Sequence, residues 1–220
     1  MCYHNINMDA YKRKDHFQYF KNLAYPYVGV SVNVEITELY AMVKAQKLPF
    51  FLTFLYCVAR AANQVPEFRQ RISGDGIVEY DHCKTSHTVA LDDGTYCYCT
   101  LNCDLPFRAY LPDAVRSQED AKREKSVQDQ DDGNELIFTS TLPWLSYTSL
   151  VQPVPMPADS NPRITWGAFF EQDSKRLLPV SVLCNHALVD GAHISQFYSA
   201  LRQQIRELTG VIKLPQMEES

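Results

Sequence analysis

His186 closes an apolar run in the stretch LLPVSVLCNHALVDGAHISQFYSAL, four residues before Asp190-Gly191. An imidazole there could hold a metal, act as a base near neutral pH, or be buried as a structural group. A metal site needs further ligands at fixed spacing. His193 lies seven residues on, across a strand-to-helix turn, with no third ligand nearby in sequence, and the H-E-x-x-H arrangement is absent. The segment CYCTLNC, with Cys97, Cys99 and Cys103, fits no zinc knuckle either, because it lacks a C-x-x-C pair. Strand alternation accounts for it, with Tyr96 and Tyr98 on one face and Cys97 and Cys99 on the other. Metal binding is therefore not expected. Base and core histidine both stay open on pattern alone. The company favours a base: a strand end lets the ring face a cavity, and Gly191 permits a tight turn and close backbone approach.

Several elements must position this histidine. RKDHFQYFKNL reads as a short N-terminal helix, and YVGVSVNVEIT as a strand with Val28, Val30, Val32 and Val34 on one face. TELYAMVKAQKL and PFFLTFLYCVARAANQVPEF read as helices, the second opening on Pro49 in its first turn. Turn residues predict a hairpin around Gly74-Asp75-Gly76 and two further strands around Asp93-Gly94. The charge-dense stretch 113–135 reads as a solvated helix followed by a loop. Strands return at LIFTSTLPWLSYTSL and RITWGAFFEQ, separated by the proline-rich loop VQPVPMPADSNPR. The last unit is a strand, LPVSVLCNHALV, a turn at Asp190-Gly191, and a helix buried along Ile194, Phe197, Tyr198, Leu201, Ile205 and Leu208.

Composition narrows the class. With 220 residues, no internal repeat and no linker, residues 1–220 read as a single domain with a sizeable core. A net charge of -5 argues against nucleic acid as a partner. No apolar run is long enough to span a membrane, and the N-terminus lacks the order of a secretory signal, so a cytoplasmic location is expected. Seven cysteines, an odd number scattered along the chain, point to reduced thiols rather than a disulfide framework.

His186-Ala187-Leu188-Val189-Asp190-Gly191 matches an H-x-x-x-D-G motif. STLPWLSYTSL, RITWG, KRLLPVSV and RKDHFQYF add matches in order, between about residue 11 and residue 208. On these segments the chain resembles the chloramphenicol acetyltransferase family within the H-x-x-x-D-G acyltransferases. The resemblance implies an α/β two-layer sandwich, a mixed β-sheet packed by helices, that works as a homotrimer with active sites at subunit interfaces. It implies transfer of acetyl from acetyl-CoA to a hydroxyl of chloramphenicol or a similar xenobiotic, with no permanently bound cofactor. His186 would be the general base and Ser140 the oxyanion donor. Asp190 would pair with Arg13, or with Lys14 if the register slips by one, and hold the site together as a buried ion pair. Phe20, Tyr96, Leu150 and Gln152 would line the acceptor pocket, and Thr165 would position a water. Phe169 would stack on the CoA adenine and Lys47 would meet its phosphates. Ala168 and Asn185 depart from the family, which has a CoA-contacting lysine and a histidine at these positions. Alternatives are a different alcohol, amine or thiol acceptor, or a non-catalytic trimeric binding protein of the same fold.

Overall fold

The computed structural model of the protein describes residues 2–128 and 133–212. In chain order its elements are β1 (Tyr3–Asn5), α1 (Lys14–Phe20), β2 (Tyr27–Glu35), α2 (Thr37–Ala45) and α3 (Phe50–Asn63). Then come β3 (Gln70–Ser73), β4 (Gly76–Tyr80), β5 (Lys84–Ala90), β6 (Tyr96–Leu101) and α4 (Phe107–Glu124). The chain continues through β7 (Leu136–Leu142), β8 (Arg163–Gly167), β9 (Phe170–Gln172), β10 (Lys175–Asn185) and α5 (Gly191–Val211).

The main sheet runs in the order β2-β10-β8-β7-β5-β6, with β9 attached to β10. It is mixed: β7 is parallel to both β8 and β5, and the other pairs are antiparallel. The expected mixed α/β architecture is present. A second, three-stranded sheet, β1-β4-β3, lies beside it. Its β3–β4 hairpin carries the predicted turn, with Gly74 at a positive φ that glycine adopts without strain. Strand β1 has no periodic signature in the sequence, because three exposed residues cannot carry one.

Several boundaries differ from the sequence reading: the last long strand ends at Asn185 rather than running on to Val189, and RITWGAFFEQ forms two strands, β8 and β9. Pro49 stands just before α3 in an extended conformation, its carbonyl accepting from the Thr53 amide, rather than inside the first turn. The helix stops at Asn63 and a separate turn of 3-10 helix follows at Pro66–Phe68. Helix α4 starts at Phe107, before the charged stretch, because Tyr110 and Ala114 bury its first turns; residues 129–132 of that stretch lie outside the described residues. Strand β7 ends at Leu142, and 143–150 is a loop rather than strand.

Strand β10 is long, central and contains Pro179, which cannot donate to a ladder. The fold accommodates it at a seam. On one side β10 pairs with β8 through Val180–Leu183 and with β9 through Lys175–Leu177. Neither partner strand reaches Pro179, so no sheet bond is lost there.

One hydrophobic cluster runs from Phe17 to Leu208 and joins α3 and α5 to the sheet. On β8 the alternation is plain: Trp166 packs against Phe51 and Phe54 of α3, while its neighbour Thr165 points to the opposite face. On β6 Cys97 and Cys99 are buried and Tyr96 is exposed, as alternation predicts. Six of the seven cysteines are buried; Cys2 is exposed.

The loop after β7 folds back over β8. Ala168 donates to the Leu145 carbonyl at 2.7 Å, and the Tyr147 hydroxyl donates to the Thr165 carbonyl at 2.9 Å. This close approach requires Gly167: a Cβ there would lie 2.4 Å from the Leu145 carbonyl oxygen and 2.9 Å from the Tyr147 ring. Gly167→Ala is expected to destabilise the protein by about 1–3 kcal/mol through overpacking. Urea unfolding checks this, and an unchanged midpoint would mean that the loop yields freely.

Candidate active site

His186 lies immediately beyond β10, on a turn built by Asn185. The Asn185 carbonyl accepts from the amides of Leu188 and Val189, and its side-chain oxygen accepts from the Ala187 amide at 3.0 Å. The His186 amide donates to the Pro26 carbonyl at 2.7 Å, tying the turn to the start of β2. The ring is then fixed by two contacts. Nδ1 is 2.8 Å from the Val189 carbonyl oxygen, and the Phe20 ring lies over it at 3.9 Å between centroids. A carbonyl can only accept, so Nδ1 carries the proton. In the neutral ring Nε2 then keeps its lone pair, and no protein group among the described residues engages it. That is the tautomer a general base needs.

Asp190 caps α5, accepting from the amides of Ala192 at 2.9 Å and His193 at 3.4 Å. The Asp190 amide donates in return to His193 Nδ1 at 3.1 Å, completing a capping box. His193 is thus spent on the helix start. Arg13 reaches across from the beginning of α1: it donates to the Leu188 carbonyl, its Nη1 is 3.2 Å from His193 Nδ1, and its Nη2 is 3.4 Å from Asp190 Oδ2. Lys14 instead meets the exposed Asp9. Arg13 accordingly holds the carbonyl side and the acidic end of the His186 turn at once.

The Arg13–Asp190 pair is not the buried one expected from sequence. The Asp190 side chain is 37% exposed, because its first duty is the solvent-facing helix cap. The cost of losing it is therefore set by capping and a partly screened ion pair, not by a stranded buried charge.

A second cluster secures the other side of the turn. Arg163 grips Asp159 with two bonds of 2.8 and 2.7 Å, and the Tyr27 hydroxyl donates to the same carboxylate at 2.9 Å. Burial, followed by the Asp159 charge, pushes the Tyr27 phenol up to about 12, so it stays a donor. Asn185 donates from its side chain to the Asp159 carbonyl at 2.9 Å. The proline-rich loop is thereby stapled to β2, β8 and the end of β10. No sequence pattern marks Asp159, Arg163 and Tyr27 as a cluster. Their partners lie 4 to 132 positions apart, with no periodic signal.

Ser140 sits mid-sheet on β7, opposite Thr165 of β8, which is opposite Ser181 of β10. Ser181 is in turn opposite Ser31 of β2, their hydroxyls 2.6 Å apart. Four hydroxyl residues therefore cross the sheet in one row. Ser140 and Thr165 line a pocket of about 390 Å³ with Gln152, Tyr98, Phe138 and Arg163. The Thr165 hydroxyl donates to Gln152 Oε1 at 2.9 Å. The Ser140 hydroxyl has no protein partner among the described residues, so it is available to donate.

His186 is five residues beyond Ser181 along β10. At about 3.3 Å per residue and 4.8 Å between strands, it stands roughly 15–20 Å from Ser140 within one chain. The chain thus brings Phe20, Arg13 and Asp190 to His186, and Thr165 and Gln152 to Ser140, but leaves the two groups apart. Tyr96, half-exposed with its ring tilted against Tyr98 at 5.9 Å, and Leu150 do not line the Ser140 pocket. Phe169 lines a separate, largely apolar pocket of about 510 Å³ with Ala168, Trp166, Phe51 and Lys122. It packs 4.8 Å from Tyr40, over which the Arg176 guanidinium lies at 4.2 Å. Lys47 is exposed just after α2, in a left-handed conformation, and is not part of that lining.

Partial burial raises the Asp190 pKa, but His193, Arg13 and the two capping amides outweigh it and hold the carboxylate below its ordinary 3.8. A depressed carboxylate contributes stability that is complete above the unfolded value and lost as pH falls through the folded one. Asp190→Asn keeps a capping oxygen, so it is expected to cost about 1 kcal/mol or less near neutrality. It should also flatten the loss of stability below about pH 4. Asp190→Ala, which removes the cap as well, should cost about 1–2 kcal/mol. Urea unfolding between pH 3 and pH 7 checks both; equal costs for the two variants would remove capping as the main role.

The chain matches the family model described as chloramphenicol acetyltransferase over residues 1–202. It is 28% identical over 213 residues to a chloramphenicol acetyltransferase of Klebsiella sp, covering 94% of this chain and 96% of the relative. It is 29% identical over 197 residues to one of Bacillus pumilus, covering 88% and 90%. Among solved structures, a chloramphenicol acetyltransferase superposes with a TM-score of 0.80 at 24% identity over 93% of this chain and all of the other. The cubic core of the pyruvate dehydrogenase multienzyme complex superposes at 0.70 and 19% identity, covering 90% of this chain and 88% of the other. The two structural likenesses speak for the fold, and the whole-length family match for descent: the chain belongs to the chloramphenicol acetyltransferase family.

Proposed function

We propose that the protein transfers acetyl from acetyl-CoA to a hydroxyl of chloramphenicol or a similar hydroxylated small molecule, directly between the two bound substrates. The observation that carries this is the tautomer of His186: Nδ1–H is held by the Val189 carbonyl and Nε2 is left as a free base. An alcohol is a poor nucleophile at neutral pH, and removing its proton during attack typically gains about 10²–10⁴-fold. Nε2 takes that proton as the alcohol oxygen bonds to the thioester carbonyl carbon. The carbonyl oxygen becomes an oxyanion and accepts a hydrogen bond from the Ser140 hydroxyl. Collapse re-forms the carbonyl, breaks the carbon–sulfur bond and returns the proton from His186 to the departing thiolate. Acetylated alcohol and free CoA result.

The separation of His186 and Ser140 within one chain supports a site shared between copies, His186 of one facing Ser140 of the next. A homotrimer closes such a head-to-tail contact into a ring. Large apolar side chains exposed on the loop after β7 suit this role: Trp144 is 80%, Val151 92% and Met156 89% exposed. The apolar pocket at Phe169 suits the CoA side, with Phe169 offering a stacking face, and Phe20 suits the acceptor side by packing on the base.

Two measurements test this reading. Thiol release from acetyl-CoA with chloramphenicol should fall about 10²–10⁴-fold in His186→Ala and about 10²–10³-fold in Ser140→Ala. Release with other alcohols only would change the acceptor, and no release with any would leave a binding protein. Unfolding and refolding the two inactive variants together should restore activity, since about one quarter of randomly mixed interface sites would hold both groups. A site contained in one chain would give no recovery.

A further inference from the structure

Thr165 and Gln152 give the Ser140 pocket a chemical preference. Thr165 is buried, and its hydroxyl proton is committed to Gln152 Oε1 at 2.9 Å. That bond orients the amide, so Gln152 Nε2 points away from Thr165 with two N–H groups and no protein partner among the described residues. The Ser140 hydroxyl, also without a partner, lines the same pocket. Arg163 lines it too, but both of its terminal nitrogens are held by Asp159, which cancels its charge. Near Ser140, then, the pocket offers neutral donors. Leaving a half-buried amide N–H without an acceptor costs free energy that a ligand oxygen would recover.

We infer that Gln152 determines acceptor specificity, selecting uncharged alcohols that carry a second oxygen acceptor, such as a carbonyl or nitro group, for its amide. This rests on the acetyl-transfer reading for the identity of the pocket. It goes further by naming the group that discriminates among alcohols. Binding energy from such a remote contact is expected in KM, because Gln152 does not touch the reacting atoms. Gln152 is a specificity residue, not a catalytic one.

Two probes separate the possibilities: chloramphenicol, which carries an amide carbonyl and a nitro group, and phenylpropanediol, which has the aryl diol but neither. Gln152→Leu should raise KM for chloramphenicol about tenfold more than for phenylpropanediol, the size of one lost hydrogen bond. Gln152→Glu keeps an acceptor for Thr165 but removes the donor, and should lose discrimination as fully as Gln152→Leu. Equal effects on both probes, or wild-type discrimination in Gln152→Glu, would overturn the inference. Should the wild type acetylate neither probe, the reaction reading fails separately, and calorimetric titration with chloramphenicol decides the pocket. Binding at least tenfold weaker in Gln152→Leu then upholds the inference; equal binding, or none to the wild type, rejects it.

Discussion

Strand β10 is the constraint on which the remaining architecture rests. It pairs with β2 along nine residues on one side and with β8 and β9 on the other. Those pairings fix where the strand ends, and the turn that follows can present His186 only at that end. The same register fixes the hydroxyl row through Ser181, Thr165 and Ser140. A slip of one residue would turn the row to the opposite face and bury it under the helices. His186 and Ser140 are thus set by one ladder, yet held apart by it.

The turn carrying His186 is over-determined. Pro26 and Val189 hold it through carbonyls, Arg13 holds the Leu188 carbonyl, and Asp159 accepts from Asn185. Little conformational freedom remains for the imidazole to lose. Such preorganisation is where catalytic groups gain most over the same groups in water. Asn185, where the family has histidine, is a joint of this frame: its amide serves the turn with one end and the loop with the other.

Much of this could be read in the sequence because the signals are local. The H-x-x-x-D-G spacing, the alternation of β6 and the periodicity of α5 each follow from neighbouring residues. Pairing of Arg13 with Asp190 was legible through the family resemblance, and its half-exposed state was not, since burial depends on what packs above the cap. The Asp159–Arg163–Tyr27 staple left no trace, because it joins three elements whose proximity exists only after the sheet forms. Strand β1 is too short to show a period. The distance between Ser140 and His186 is a property of strand order, which no window along the chain can contain.

Burial of the cysteines has a practical consequence for chemistry on this protein. Desolvation pushes the thiols of Cys99 and Cys103 up to about 12, and those of Cys57, Cys83, Cys97 and Cys184 upward as well. Thiolate, not thiol, reacts with alkylating and disulfide reagents. The folded protein should therefore present a single labelling handle, Cys2, next to strand β1. A fluorophore or spin label could be placed there on the unmodified chain. The six hidden thiols would become a built-in reporter, emerging only as the core opens.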